Sequence, residues 1–291
     1  MEELKPLIKY GWLRALIYFV VAIFLMLVLP MAGAELLSQL GLSGKSEEET
    51  PLNFAIIYTI AGAGIYLATY FFRRFIDRRS FESLGFTWKG FTDEAALGFF
   101  MAIALLGIGS LILVGLGYLT FLSIGADGAV LAIELALMIV VAFIEELLFR
   151  GYVLNNLLQS MNKWVALAIS AAVFALVHGA NPDVTVLAVV NVFLGGLLLG
   201  LNYIYTRNLW FSIFFHFAWN FFQGPILGYD VSGLKMQSLF HQSLTGPGLW
   251  TGGPFGFEGS LLCPLLLTAS IVGLVYGFSR KYGTATLHNS P

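Results

Sequence analysis

The feature that most limits this chain is a set of long runs without a single Asp, Glu, Lys or Arg: 15–34, 50–72, 95–126, 164–182, 184–206, 208–229 and 259–279. A helix of about 20 apolar residues crosses the hydrocarbon of a bilayer. Surface helices of a soluble domain carry a polar face, and these runs have none. An eighth apolar segment, about 128–158, is interrupted by Glu134, Glu145, Glu146 and Arg150. The reading is an all-α fold: a polytopic transmembrane helical bundle of about eight spans. Only Asp183 and Arg207, with their neighbours, separate three of the runs, which predicts tight hairpins there. The chain is 58% hydrophobic and 11% charged, whereas soluble domains carry roughly a quarter charged residues. That balance excludes a cytosolic enzyme and a disordered chain. A net charge of −2 with no basic stripe argues against nucleic acid as a partner. A single cysteine, Cys263, excludes an intramolecular disulfide framework and a Cys-rich metal site.

Lys and Arg in the short loops orient the spans. With the N-terminus inside, the inner segments hold Lys5, Lys9, Arg14, Arg73, Arg74, Arg78, Arg79, Lys89, Lys163, Arg207, Arg280 and Lys281. The outer segments hold Lys45 and Lys235, and Arg150 is intramembrane. Both termini are therefore expected to be cytoplasmic, in a multi-pass integral membrane protein (of the cell membrane, if bacterial). Residues 1–34 resemble a secretory signal, ending in Ala32-Gly33-Ala34, but the apolar run is longer than a signal core and is read as the first helix. Glu47-Glu48-Glu49 reads as a solvated outer loop, and residues 230–257, rich in Gly and Pro, as a loop of little regular structure. Three regions follow: two helices and a basic loop at 1–94, a core at 95–229, and an outer loop with a last helix at 230–291.

Ionisable groups within a membrane are expensive and usually mark a site. Glu145 and Glu146 are adjacent, so on a helix they point about 100° apart and cannot share one job. Glu146 and Arg150 are i and i+4 and can pair, each neutralising the other. Glu145 lacks a cation on its own helix, which leaves its carboxylate free to act as a general base. A structural cluster of all three residues is the plainer alternative. Glu134, three turns earlier on about the same face, reads as structural or solvated. His178 and His216 lie in apolar runs, whereas His241 and His288 lie in the outer loop and tail.

Depth tests whether these groups meet. Glu145 and His178 are equidistant from a hairpin tip near 161–162, each roughly 25 Å away at helical rise. His216 and Asn220 share one face, and Asn220 lies roughly 20 Å from its own hairpin end. Asn181-Pro182 ends the helix of His178, and freed backbone beside a histidine favours a wet pocket. A carboxylate, two imidazoles and an amide at one level, with no serine or cysteine nucleophile among them, point to water as the nucleophile. Glu145 and His178 can deprotonate and orient it, while His216 and Asn220 can donate to an oxyanion. The same Glu145, His178 and His216 also match a catalytic zinc shell, although the helical H-E-x-x-H spacing is absent. The preferred expectation is no cofactor, with zinc as the alternative.

Glu145-Glu146-x-x-x-Arg150-Gly151, Phe174-x-x-x-His178 and His216-x-x-x-Asn220 resemble the motifs of the CPBP intramembrane proteases. That family includes the type II CAAX prenyl endopeptidases and the bacterial Abi-like proteins. Phe193, Gly196, Gly200, Thr206, Leu209, Trp210 and Ile213 also fall as that family places them, and the likeness covers about 130–222. The resemblance implies an intramembrane endopeptidase with Glu145 as base helped by His178, and His216 with Asn220 as oxyanion hole. Glu146 and Arg150 would support them. The partners it implies are the lipid bilayer and a peptide or protein substrate, membrane-bound or lipidated. Some members of the family act as scaffolds or in bacteriocin immunity, so a non-catalytic role stays open. A proton-coupled transporter would also use such groups, but neither an inverted repeat nor paired broken helices is evident.

Overall fold

The computed structural model describes residues 5–42 and 50–283. Lys45, Glu47, Glu48, Glu49 and His288 lie outside the described residues. Eight helices of twelve residues or more follow the eight apolar segments among the described residues. They are α1 (Gly11–Gln39), α2 (Pro51–Phe71), α3 (Thr92–Gly115), α4 (Gly128–Glu146), α5 (Lys163–His178), α6 (Val186–Thr206), α7 (Trp210–Phe221) and α8 (Leu262–Tyr282). Six of them are long and apolar enough to cross a membrane, α4 running on to Leu157. α5, with 16 residues, and α7, with 12, are shorter. The expected span count of about eight is thus approximate, and the helical bundle is as read.

The helix starts are built from capping residues, which satisfy N–H groups that have no partner in the first turn. Thr50 accepts from the Asn53 N–H at 3.2 Å ahead of Pro51. Asp127 accepts from Ala129 at 2.8 Å, and Asn162 from Trp164 at 2.9 Å. Thr185 opens α6 by accepting from Ala188 at 3.1 Å, and Asn208 opens α7 by accepting from Trp210 at 3.0 Å. The two tight hairpins turn at Asp183 and Arg207, both left-handed with φ of 54°. α5 ends at His178, a turn before Pro182.

α3 packs on α7, α5 on α6, α1 on α2, α8 on α6, and α4 lies between α2 and α7. The basic residues gather at one end. There Arg78 donates to the Lys5 carbonyl at 3.4 Å, Arg14 to Gln159 at 2.7 Å, and Lys281 to Glu94 at 2.5 Å. The Lys163 ammonium sits 4.5 Å from the Tyr205 ring, and the Tyr205 hydroxyl is 2.9 Å from that of Ser279. These contacts put the described N- and C-terminal segments at one end, the basic end that the sequence reading expects to face the cytoplasm.

The opposite end departs from the sequence reading in two places. The run 95–126 is a helix only to Gly115. It turns at Gly117 (φ 72°) and continues as β1 (Leu119–Ile124). β1 pairs antiparallel with β2 (Phe240–Leu244), with a bulge between Phe121 and Ser123. Absence of charge says nothing of secondary structure, and Thr, Phe and Ile at 120, 121 and 124 suit a strand. The 230–257 loop therefore holds a strand, plus short helical turns at Gly248–Thr251 and Gly253–Phe255.

Candidate active site

Three helices bring the ionisable groups together. Glu145, near the end of α4, has one carboxylate oxygen held by α2, where the Tyr58 hydroxyl donates to Oε1 at 2.9 Å. Its Oε2 has no hydrogen-bond partner. That oxygen lies 3.8 Å from Nε2 of His178 and 3.9 Å from Nε2 of His216. Both separations exceed a direct hydrogen bond and are short enough for one water to bridge.

Each imidazole is anchored by its other nitrogen. Nδ1 of His178 donates to the Phe174 carbonyl one turn back, at 2.9 Å. Nδ1 of His216 donates to Glu146 Oε1 at 2.8 Å. These bonds require a proton on Nδ1 of each ring and turn both Nε2 atoms toward Glu145. Glu146 pairs with Arg150 at 2.7 Å, both fully buried. The Arg150 guanidinium donates in turn to the Gly196 carbonyl at 3.1 Å and lies 4.4 Å from the Phe174 ring centre. Glu146 and Arg150 tie α4 to α6 and α7, while Glu145 faces the histidines.

The backbone under this cluster is unusual. Immediately after Glu146, α4 widens into π-helical turns over Leu147–Leu154, with all eight residues buried. Such widened turns are frequent at functional sites. Asn220 stands one turn after His216 on α7 and is 7% exposed. It lines the same cavity of about 220 Å³ as Glu145, His178 and His216. All four site residues read from the sequence are therefore brought to one enclosed space. Glu134 is not part of it: its buried carboxylate accepts from the Gln237 N–H at 2.8 Å and holds the outer loop to α4.

Three residues escaped the sequence reading. Tyr58 is one aromatic among many in an uncharged run, and nothing local marks it. Glu258 and Asn191 also line the cavity. Glu258 stands between the loop 230–257 and the last uncharged run, where the sequence reading gave it no role, and its carboxylate accepts from Trp219 Nε1 at 3.0 Å, Ser232 N at 3.0 Å and Ser232 Oγ at 2.6 Å. Asp230, next to the lining residue Val231, lies near Asp183 and Lys235. Burial raises its carboxyl above the ordinary range, with Lys235 opposing and Asp183 reinforcing the shift.

The donor set has the chemistry of a zinc site: two anchored imidazoles with Nε2 directed inward, and an unpartnered carboxylate oxygen. Zinc–ligand bonds of about 2.0–2.1 Å in a tetrahedron set ligands roughly 3.3 Å apart, closer than the 3.8 and 3.9 Å found here. Among the described residues, no group of three His, Cys, Asp or Glu side chains is arranged to hold a metal ion.

No curated protein and no solved structure matches the chain. Residues 127–222 match a family model, described as Type II CAAX prenyl endopeptidase Rce1-like. The matched segment runs from the cap of α4 to just past the end of α7 and holds Glu145, Glu146, Arg150, His178, His216 and Asn220. The chain is a multi-pass membrane protein whose central third is similar to that endopeptidase family.

Proposed function

We propose that this protein is an intramembrane endopeptidase that hydrolyses a peptide bond with an activated water. One observation carries the reading: the free Oε2 of Glu145 faces Nε2 of both His178 and His216, at 3.8 and 3.9 Å, inside a cavity that Asn220 also lines. The family match over this segment supports it.

The hydrogen bonds support the following roles. His178, with its proton on Nδ1, offers Nε2 as an acceptor. A water between it and Glu145 donates one hydrogen to each and presents a lone pair to a carbonyl carbon. Glu145 takes the proton and later delivers it to the leaving amine. Tyr58 holds Oε1, so that Oε2 is the oxygen left to do this. His216 sits between the carboxylates of Glu146 and Glu145, where the ring can carry protons on both nitrogens. Its Nε2–H and the Asn220 amide would then donate to the carbonyl oxygen as charge develops on it. Glu146 and Arg150 hold His216 in place and do not exchange protons with substrate. No metal is needed for these steps.

The test is cleavage by the purified full-length protein in lipid vesicles. Glu145→Gln is expected to abolish cleavage while the protein accumulates and melts as wild type does. Glu146→Gln is expected to lower abundance as well, because it leaves Arg150 buried without a counter-charge. Retained cleavage in Glu145→Gln would refute the assignment. The same preparations, measured for metal content with and without chelator, test the metal-free form. Stoichiometric zinc lost together with activity would replace it with a zinc enzyme held by Glu145, His178 and His216. A non-catalytic scaffold would keep its cellular role when Glu145 and His178 are replaced together.

A further inference from the structure

The wall of the cavity supplied by the outer loop has a chemistry of its own. Glu258 carries a carboxylate there, and all three of its donors are neutral: the Trp219 indole and the Ser232 amide and hydroxyl. Among the described residues it has no ion-pair partner, and neither Lys nor Arg lines the cavity. An ionised carboxylate has about four acceptor positions, so three donors leave room for one more.

Beside it lies a second, independent acceptor. Asn191, on α6, is 1% exposed and lines the same cavity. Its amide nitrogen donates to the carbonyls of Glu258 at 2.7 Å and Ser260 at 2.9 Å. Two carbonyls can only accept, so they fix which end of the amide is which. Oδ1 is left buried without a partner. A buried acceptor without a donor is unfavourable, and a ligand that brings N–H groups relieves it.

Resting on the endopeptidase reading, we infer that Glu258 and Asn191 form a substrate subsite for a cationic side chain. The substrate class is then a peptide with a Lys or Arg close to the scissile bond. The ammonium or guanidinium would fill the remaining acceptor position of Glu258 and donate to Asn191 Oδ1, while the peptide bond lies against Glu145. A substrate segment bearing a carboxylate at that position would meet Glu258 and be rejected. A purely structural Glu258, strapping Ser232 to Trp219, would show no such preference.

Two measurements separate this inference from the proposed chemistry. The first is equilibrium binding, with no cleavage required, to full-length Glu145→Gln protein in vesicles of uncharged lipid. The probes are apolar peptides identical except for one position, occupied by Lys, norleucine, Gln or Glu and walked across the sequence. At one position Lys is expected to bind about tenfold or more tighter than norleucine, as a charge-assisted hydrogen bond supplies, and Glu weakest. Adding Glu258→Gln, which keeps size and one acceptor oxygen, should erase that preference and leave norleucine binding unchanged. Equal binding of Lys and norleucine at every position, or a Lys preference that survives Glu258→Gln, would overturn the subsite. The second measurement is kcat/KM for the same peptides with an otherwise wild-type protein, where Glu258→Gln should lower Lys peptides selectively. A uniform loss across all peptides would mark Glu258 as structural. Charge-selective binding without any cleavage would leave the subsite standing and defeat the endopeptidase reading.

Discussion

Tyr58 shows how one hydroxyl divides a carboxylate into two unlike oxygens. Its 2.9 Å bond occupies Oε1 of Glu145 and leaves Oε2 facing the histidines. Tyr58→Phe removes that bond and little volume. We expect kcat to fall about tenfold, the scale of a lost hydrogen bond to a charged group, with KM and protein abundance unchanged. Steady-state kinetics on the purified variant checks it, and an unchanged kcat would remove Tyr58 from the positioning role. At this scale the sequence was informative about charge and silent about neutral partners. Glu145, Glu146 and Arg150 stand out because charge inside an apolar run is rare. Tyr58 and Asn191 do not, because tyrosine and asparagine are ordinary in such runs until something places them beside a carboxylate or a carbonyl.

At the level of elements, the site depends on how closely α5 and α6 approach. A Cβ placed on Gly196 would lie 3.0 Å from both Cα and Cβ of Ala171 on α5. The same residue's carbonyl receives Arg150. Gly196→Val must therefore push the helices apart and strain the Arg150 contact. A loss of about 1–3 kcal/mol is expected, typical of overpacking, read as a lower melting temperature in detergent. Gly195, one residue earlier, has open space around its would-be Cβ. Gly195→Ala should leave the melting temperature unchanged or slightly raised, since Ala is the better helix former. Equal melting shifts in the two variants would contradict this packing argument. Gly196 and Gly200 lie four residues apart on one face of α6, a spacing that lets helices pack closely. The π-helical turns at Leu147–Leu154 were not announced. They reflect how α4 accommodates its neighbours, which no local propensity encodes.

Across the whole molecule, the basic end is fastened by a buried knot around Asp77. Arg14 of α1 donates to its Oδ1 at 3.2 Å and Arg73 to its Oδ2 at 2.9 Å. Tyr152 and Asn156, in the continuation of α4, donate at 3.1 and 3.3 Å. Asp77 is fully buried, and both arginines are 1% exposed. Asp77→Asn would leave two buried guanidiniums without their shared anion, at a cost of about 3–5 kcal/mol. Membrane yield and melting temperature should fall, while activity per folded molecule stays near wild type because the knot is remote from the cavity. A normal yield would show that the knot is not what joins these helices. The sequence reading assigned Arg14 and Arg73 only to a basic face, since long-range pairing with one aspartate cannot be seen in loop charge.

What was legible in the chain was whatever the bilayer enforces along it. Uncharged length marks out the long helices, and charge inside an apolar run singles out Glu145, Glu146 and Arg150, because hydrocarbon penalises every exception locally. Which groups meet depended on packing. The strand hidden in an uncharged run, the tyrosine behind Glu145, and the acidic wall contributed by Glu258 all arise from contacts between distant segments. Those contacts are made by ordinary residues, and their chemistry comes from what folding places against them.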